Sequence, residues 1–294
     1  MARKTRSPSP AAQQPQDIPI PTAIDMAYRH WQAGQLPQAE MLCNQILAVC
    51  PGQCDVLHLL GLIAHAVGRM DMAIDFMKQA CAAPGAPAAY FSNLGELCRR
   101  RRRLAEAEQA ARQAVALDGS VAASWSNLGI ILQEARKLEE SAHCLRQALV
   151  LNPDMAEGHN NLGNTLRLLG EVEAATRHYR TALDLDPGYV DACCNLGGLT
   201  AEMGRPDEGL ALLRRAIELD PRMANAYLNA ADLEIRRGRW AEALVWLDGL
   251  YDFFPAHPAL PAARARVLLR LGRLADAYAA AEAALAAFPG QAAV

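Results

Sequence analysis

Residues 122–155 read AASWSNLGIILQEARKLEESAHCLRQALVLNPDM, and residues 156–189 read AEGHNNLGNTLRLLGEVEAATRHYRTALDLDPGY. Set one under the other without a gap, the two segments return Asn-Leu-Gly at 127–129 and 161–163, Ala148 over Ala182, and Pro153 over Pro187. Within the first segment the apolar residues keep helical spacing, as Trp125, Leu128 and Leu132, then Leu138, Ala142, Leu145, Ala148 and Leu149. A short polar break separates the two runs. The 34-residue unit is therefore helix, turn, helix.

The same register extends outward through the chain. Units beginning at Ile20, Cys54, Ala88, Ala122, Ala156, Val190, Ala224 and Pro258 follow one another without insertion or deletion, covering residues 20–53, 54–87, 88–121, 122–155, 156–189, 190–223, 224–257 and 258–291. With each unit numbered from 1 to 34, position 8 is Gly61, Gly95, Gly129, Gly163 or Gly197, and otherwise Ala27, Ala231 or Ala265. Position 20 is equally small, from Ala39 and Ala73 through Ser141 to Gly209 and Ala277. Two small positions, one in each half of a unit, predict a close approach of two helices. Gly34, Gly68, Gly170, Gly204, Gly238 and Gly272 at position 15 mark the turn. Position 32 is Pro51, Pro153, Pro187, Pro221, Pro255 or Pro289, with Gly85 and Gly119 in the other two units, which ends the second helix.

A two-helix unit of this size cannot bury its own apolar face, so neighbouring units must stack to share a core. Small residues at 8 and 20, a bulky residue at 4, Leu at 7, Ala at 27 and Pro at 32 resemble the tetratricopeptide repeat over nearly the whole chain. The resemblance implies an all-α, right-handed superhelix, an α-solenoid of about eight helix-turn-helix repeats. The last unit departs most, with Pro261 in place of the bulky residue and Arg264 in place of Leu. Its first helix is expected to start late, or the unit to be a degenerate terminal repeat.

Composition agrees with packing through small residues: 52% of the chain is hydrophobic but only 5% aromatic. A formal charge of -3 gives no bulk attraction to nucleic acid, and Lys occurs only at Lys4, Lys78 and Lys137. Residues 1–19, rich in Pro, Ser and Gln, are expected to be a disordered tail. They lack the apolar core of a secretory signal. Asp55 and prolines interrupt the most hydrophobic stretch, so no membrane span is expected and a cytoplasmic location is the default.

No Gly-rich phosphate loop, His-Glu-x-x-His or Gly-x-Ser-x-Gly occurs in the chain. No catalytic residue, cofactor or metal site is predicted, and the chain is read as a non-enzyme. Cys43, Cys98 and Cys193 fall at packing positions 24, 11 and 4, and the eight cysteines are expected to be buried and reduced. The sharper alternative is a redox pair of Cys50 and Cys54 in the loop between the first two repeats. His159 stands at position 4, where Trp125 and Tyr227 stand elsewhere, and is read as a packing residue.

Position 6 is Asn93, Asn127, Asn161, Asn195 and Asn229 in five successive repeats. An interior Asn costs a helix roughly 0.5 kcal/mol relative to Ala, so the five together forgo about 2–3 kcal/mol. Something offsets that loss. Positions 2, 6, 9 and 13 form one stripe of the first helix, which adds Glu157, Asp191, Asn164 and Asp232. In tetratricopeptide proteins this face lines the concave groove. The ladder is similar to that of O-GlcNAc transferases, whose concave asparagines hold a peptide backbone; this implies an amide donor and acceptor per repeat for an extended segment. The other reading is structural bonding between adjacent repeats. Position 5 reads Ile24, His58, Ser92, Ser126, Asn160, Cys194, Leu228 and Ala262, with no Lys or Arg, which disfavours a carboxylate clamp.

Arg99, Arg100, Arg101, Arg102 and Arg103 span positions 12–16 of the third repeat. Cations suit a helix C-terminus, which makes a solvated turn the simpler reading; the sharper one is a patch for an acidic partner. Trp240, Trp246, Tyr251, Phe253 and Phe254 are read as core between repeats. Residues 292–294 read as the start of a ninth repeat, so the last repeat is expected either to pair with another copy of the chain or to continue into a longer polypeptide. These features predict a protein-binding scaffold whose partner is a protein or peptide. The alternatives are the substrate-recognition region of an O-GlcNAc-transferase-like glycosyltransferase and a self-assembling structural protein.

Overall fold

The computed structural model describes residues 18–287. Among them the chain forms sixteen α-helices and no strand: α1 (Ile20–Gln32), α2 (Leu36–Val49), α3 (Cys54–Ala66), α4 (Met70–Cys81), α5 (Ala88–Arg100), α6 (Leu104–Leu117), α7 (Ala122–Glu134), α8 (Leu138–Leu151), α9 (Ala156–Leu168), α10 (Val172–Leu185), α11 (Val190–Glu202), α12 (Pro206–Leu219), α13 (Ala224–Arg236), α14 (Trp240–Phe253), α15 (Leu260–Arg270) and α16 (Leu274–Ala287). Most first helices have 13 residues and most second helices 14, so the 34-residue register passes directly into structure. Residues 1–17 of the tail expected at 1–19, and the predicted start of a ninth repeat at 292–294, lie outside the described residues. No described helix is long and apolar enough to cross a membrane.

Every hairpin turns by one device. The N–H at position 16 donates to the carbonyl at position 11, from Gln35 to His30 at 2.9 Å through Glu171 to Leu166 at 2.9 Å to Arg273 to Leu268 at 3.0 Å. Position 15 between them has positive φ. Glycine fills it in six repeats, as at Gly170 with φ 82°, but Arg102 and Arg136 hold it at 59° and 63°. The connection from one repeat to the next has its own signal, which sequence reading passed over. Asp118, Asp186 and Asp220 at position 31 accept the backbone N–H two residues on, from Ser120, Gly188 and Arg222, at 2.8–2.9 Å.

The two small positions do what their size predicts. A Cβ added to Gly197 would stand 3.1 Å from the Gly209 carbonyl, and one added to Gly163 would stand 2.6 Å from the Tyr179 ring. Only glycine lets α9 rest on that ring. Tyr179 itself is fully buried, and its hydroxyl donates to Asn164 Oδ1 at 2.8 Å.

By its contacts the chain divides into two units, Met1–Ile131 and Leu132–Val294. In the first, Ala27, Ala39, Cys43, Val56 and Leu59 join α1, α2 and α3 in one core, and Leu57, Ala80 and Tyr90 join α3, α4 and α5 in another. In the second, Leu145, Leu162, Tyr179 and Leu196 link α8 to α11, Cys193, Leu213 and Leu233 link α11 to α13, and Leu247, Leu260 and Val267 link α13 to α15. Successive hairpins within a unit thus share their apolar cores, as stacking requires.

The last repeat differs as its sequence suggests. Proline at 261 sits in the first turn of α15, which has 11 residues and begins at Leu260. The aromatic residues of the seventh repeat are partly core: Trp240, Trp246 and Phe254 pack on it, while Tyr251 and Phe253 are exposed. Arg214, Arg264 and Arg270 lie over the rings of Trp246, Tyr251 and Trp240 at 5.7, 4.8 and 5.5 Å.

Candidate functional site

The position-6 asparagines are half-buried on the first helices, and their amide donors point backward along the chain. Asn93 Nδ2 donates to His58 Nε2 at 3.0 Å, and Asn127 Nδ2 donates to Ser92 Oγ at 3.1 Å. In the second unit, Asn195 Nδ2 donates to Asn160 Oδ1 at 2.9 Å, and Asn229 Nδ2 donates to Cys194 Sγ at 3.5 Å. Each partner lies 35 residues earlier, at position 5 of the preceding repeat. Asn161 is the exception: its Nδ2 is buried without a hydrogen-bond partner.

This pairing gives position 5 a rationale. Where position 6 is Asn, the residue 35 earlier can accept a hydrogen bond: His58, Ser92, Ser126, Asn160 and Cys194. Where position 6 is Leu59 or Ala263, the residue 35 earlier is apolar, Ile24 or Leu228. The match is visible in the sequence at an offset one residue longer than the repeat. Counting at the period itself hides it.

The amides keep their other half. Among the described residues, the Oδ1 atoms of Asn93, Asn127, Asn195 and Asn229 accept no hydrogen bond and are not fully buried. Asn164 differs, because its carbonyl accepts from Tyr179 inside its own repeat. Glu157 and Asp191 at position 2 are exposed and make no ion pair among the described residues, whereas exposed Asp232 pairs with Arg236 at 3.1 Å.

At the start of the ladder, His58 belongs to a buried network. Because its Nε2 accepts from Asn93, neutral His58 carries its proton on Nδ1 and donates to the Tyr28 hydroxyl at 3.2 Å. Tyr28 then donates to the Asp55 carbonyl at 3.3 Å, and Tyr90 donates to the Asp55 carboxylate. The His58 and Tyr90 rings stack with centroids 3.9 Å apart. Burial pushes His58 down to about 4, against the pull of Asp55. Burial and the Asp55 charge push the Tyr28 phenol up to about 12.

His159 also bonds rather than merely packs. Its Nε2 lies 3.0 Å from the Pro153 carbonyl and must donate there, so in the neutral pair its Nδ1 accepts from His178 Nδ1 at 3.0 Å. Burial, then His159 and nearby Arg146 and Arg177, lower His178 to about 4.

The arginine run is largely paired within its own unit. Glu96 takes Arg99 and Arg100 at 2.7 Å, Asp71 takes Arg101 at 2.8 Å, and Glu106 takes Arg103 at 2.6 Å and Lys78 at 2.6 Å. Burial alone would raise Glu96, but the hydrogen bonds from Arg99 and Arg100 outweigh it and hold the carboxyl below the usual range. Arg102 forms the left-handed turn residue.

All eight cysteines are free, with Cys43, Cys98, Cys144, Cys193 and Cys194 buried and Cys50, Cys54 and Cys81 half-buried. Burial pushes the Cys43 and Cys81 thiols up to about 12 and Cys194 to about 11. Among the described residues, no three His, Cys, Asp or Glu side chains are grouped to hold a metal ion.

Two family models, both of the tetratricopeptide repeat, match the chain, one over residues 126–190 and 199–258 and the other over residues 55–84, together more than half of it. No curated protein matches it in sequence. Among solved structures, it is similar to PilW, a widely conserved type IV pilus biogenesis factor, at 22% identity and a TM-score of 0.63, over 71% of this chain and 96% of that one. It is similar to Pseudomonas aeruginosa PilF at 20% identity and a TM-score of 0.59, over 69% of this chain and 93% of that one. The Cut9–Hcn1 hetero-tetramer of APC/C matches at 15% identity and a TM-score of 0.62, over 73% of this chain and 42% of that one. At these identities the likeness is one of fold.

Proposed function

Because the chain belongs to the tetratricopeptide repeat family, we propose that it is a non-catalytic interaction scaffold holding extended segments of a protein partner along its first helices. The observation that carries this reading is the pair of Oδ1 atoms left without a hydrogen bond on successive repeats of each unit, Asn93 and Asn127 on the first and Asn195 and Asn229 on the second. With each donor engaged by the preceding repeat, the amide is fixed and its carbonyl is presented in one orientation. Such a carbonyl accepts a backbone N–H, a contact indifferent to the partner's side chains.

The spacing suits an extended segment. Packed helices stand about 8–10 Å apart, and an extended chain rises about 3.3 Å per residue, so carbonyls on successive repeats of one unit meet about every third residue. Glu157 and Asp191 add negative charge beside this row. The paired arginine run has no part in this reading.

A pull-down comparing wild type with the Asn127, Asn161 and Asn195 triple Ala variant tests it. Loss of specific partners from a variant that still shows full helical circular dichroism is the expected result. Retention of every partner by that folded variant would overturn the reading and leave the asparagines a purely structural role.

A further inference from the structure

Where the asparagine pairing stops, the first-helix face changes character. Repeat eight has Ala262 and Ala263 at positions 5 and 6, so nothing polar reaches back to Leu228. The small side chains leave a cavity of about 460 Å³ between α13 and α15, lined by Leu228, Ile235, Ala262 and Ala263 and backed by fully buried Leu247. That volume lies within the range of pockets that accept an apolar group.

The rim is polar and unevenly charged. Asn229 brings an Oδ1 that accepts no hydrogen bond among the described residues, and Asp232 is paired with Arg236. Arg266 is exposed and has no hydrogen bond or ion pair among the described residues. The cavity therefore presents an apolar hole, an amide carbonyl and an unsatisfied cation. Two repeats earlier, on the same unit, exposed Glu157 and Asp191 stand without cationic partners. Both charges act on the Tyr189 phenol, which burial first and then Asp191 and Glu157 push up to about 12.

We propose that the pocket beside Arg266 seats a large apolar side chain of an extended peptide, next to a peptide carboxylate held by Arg266, while Glu157 and Asp191 hold a basic residue of the same segment. This rests on the reading of the first-helix face as a peptide site and adds to it a sequence preference. Two repeats at about 8–10 Å each correspond to about five or six extended residues. The ligand is thus a segment with a cation at one end and an adjacent apolar and acidic pair about six residues away. Its opposite charges meet opposite charges on the protein, and the apolar residue supplies the anchor.

Fluorescence polarisation with two labelled decapeptides, SRSGSTSFES and its reverse SEFSTSGSRS, tests the preference in both chain directions, each with Phe→Ser and with its charges exchanged. We expect one parent peptide to bind and both altered forms to bind more weakly. Ala262 is exposed, so Ala262→Trp fills the pocket without disturbing the core and should weaken that peptide about thirtyfold. Arg266→Glu should weaken it about fivefold, and combining Arg266→Glu with Glu157→Lys and Asp191→Lys should reverse the preference toward the charge-exchanged peptide.

Binding by neither parent overturns the inference, and so does binding that Ala262→Trp and the charge variants leave unchanged. In both cases the fate of the underlying site is read separately. If the Asn195→Ala, Asn229→Ala double variant abolishes the unchanged binding, or the triple Ala variant still loses partners in the pull-down, the peptide site stands without this preference. If neither change matters, both fall.

Discussion

Asn195 donates its side-chain amide to Asn160 across 35 residues at 2.9 Å, coupling α11 to the helix of the same kind in the preceding repeat. Asn160 is 4% exposed, so removing its donor leaves a buried carbonyl unpaired. Asn195→Ala should therefore cost about 1–3 kcal/mol of stability despite the better helix propensity of Ala. Urea denaturation of the single variants and of the Asn160→Ala, Asn195→Ala pair should show a coupling of about 1 kcal/mol. Additive single effects would mean that the bond contributes nothing.

The left-handed turn residues offer an opposite change. Arg136 holds φ 63° where six repeats place glycine. Relief of that strain should make Arg136→Gly more stable by about 1 kcal/mol, seen as a rise in thermal midpoint, even though glycine elsewhere in a chain is destabilising. Gly170→Ala, at φ 82°, should lower it by a similar amount.

Acidification should weaken the protein through His58 and His178. Both are held near 4 in the folded chain against about 6.5 when unfolded, so between these values the unfolded chain binds more protons. Their contribution is present in full above about pH 6.5 and is lost as pH falls toward 4, on the order of 2–3 kcal/mol for well-buried His58. Urea midpoints measured from pH 7.5 to pH 4 should fall, and the fall should be shallower in His58→Gln. A pH dependence identical to wild type in that variant would exclude His58 as a cause.

Thiol reactivity should be divided. Thiols pushed up to about 12, as in Cys43 and half-buried Cys81, or to about 11, as in Cys194, form little thiolate at pH 8, so these three should react with an aromatic disulfide reagent only on denaturation. Half-buried Cys50 and Cys54 should react first, and replacing both with Ser should remove the fast phase.

Much of this architecture was legible because each 34-residue unit repeats its steric punctuation. Gly163 must be small to admit the Tyr179 ring, and Pro153 must follow a finished helix, so packing and chain geometry constrain the same positions in each unit. Polar partnerships were less legible, since they depend on which way a side chain turns. Asn164 lies on the same stripe as Asn161, yet its carbonyl meets Tyr179 within the hairpin. Glu234 stands at position 11, occupied by Leu132 and Leu166 elsewhere, and is 3% exposed with Arg237 and Arg239 at 3.9 Å. The arginine run reads as a cationic patch until Asp71, Glu96 and Glu106 are seen to fold onto it. Glu96 and Glu106 stand three or four residues from their arginines and could have been read from the sequence, whereas the Asp71 pair, 30 residues away, leaves no periodic trace.

The offset pairing also gives the repeats an order. In four of the five units carrying Asn at position 6 the preceding unit supplies the acceptor at position 5, while the units with Ile24 and Leu228 at that position are followed by apolar Leu59 and Ala263. Interior units could be duplicated or deleted by recombination and still match their neighbours. Moving the seventh unit ahead of the sixth would instead set Asn195 against Leu228 and strand its amide. The array can lengthen or shorten in its middle, but its units cannot be freely shuffled.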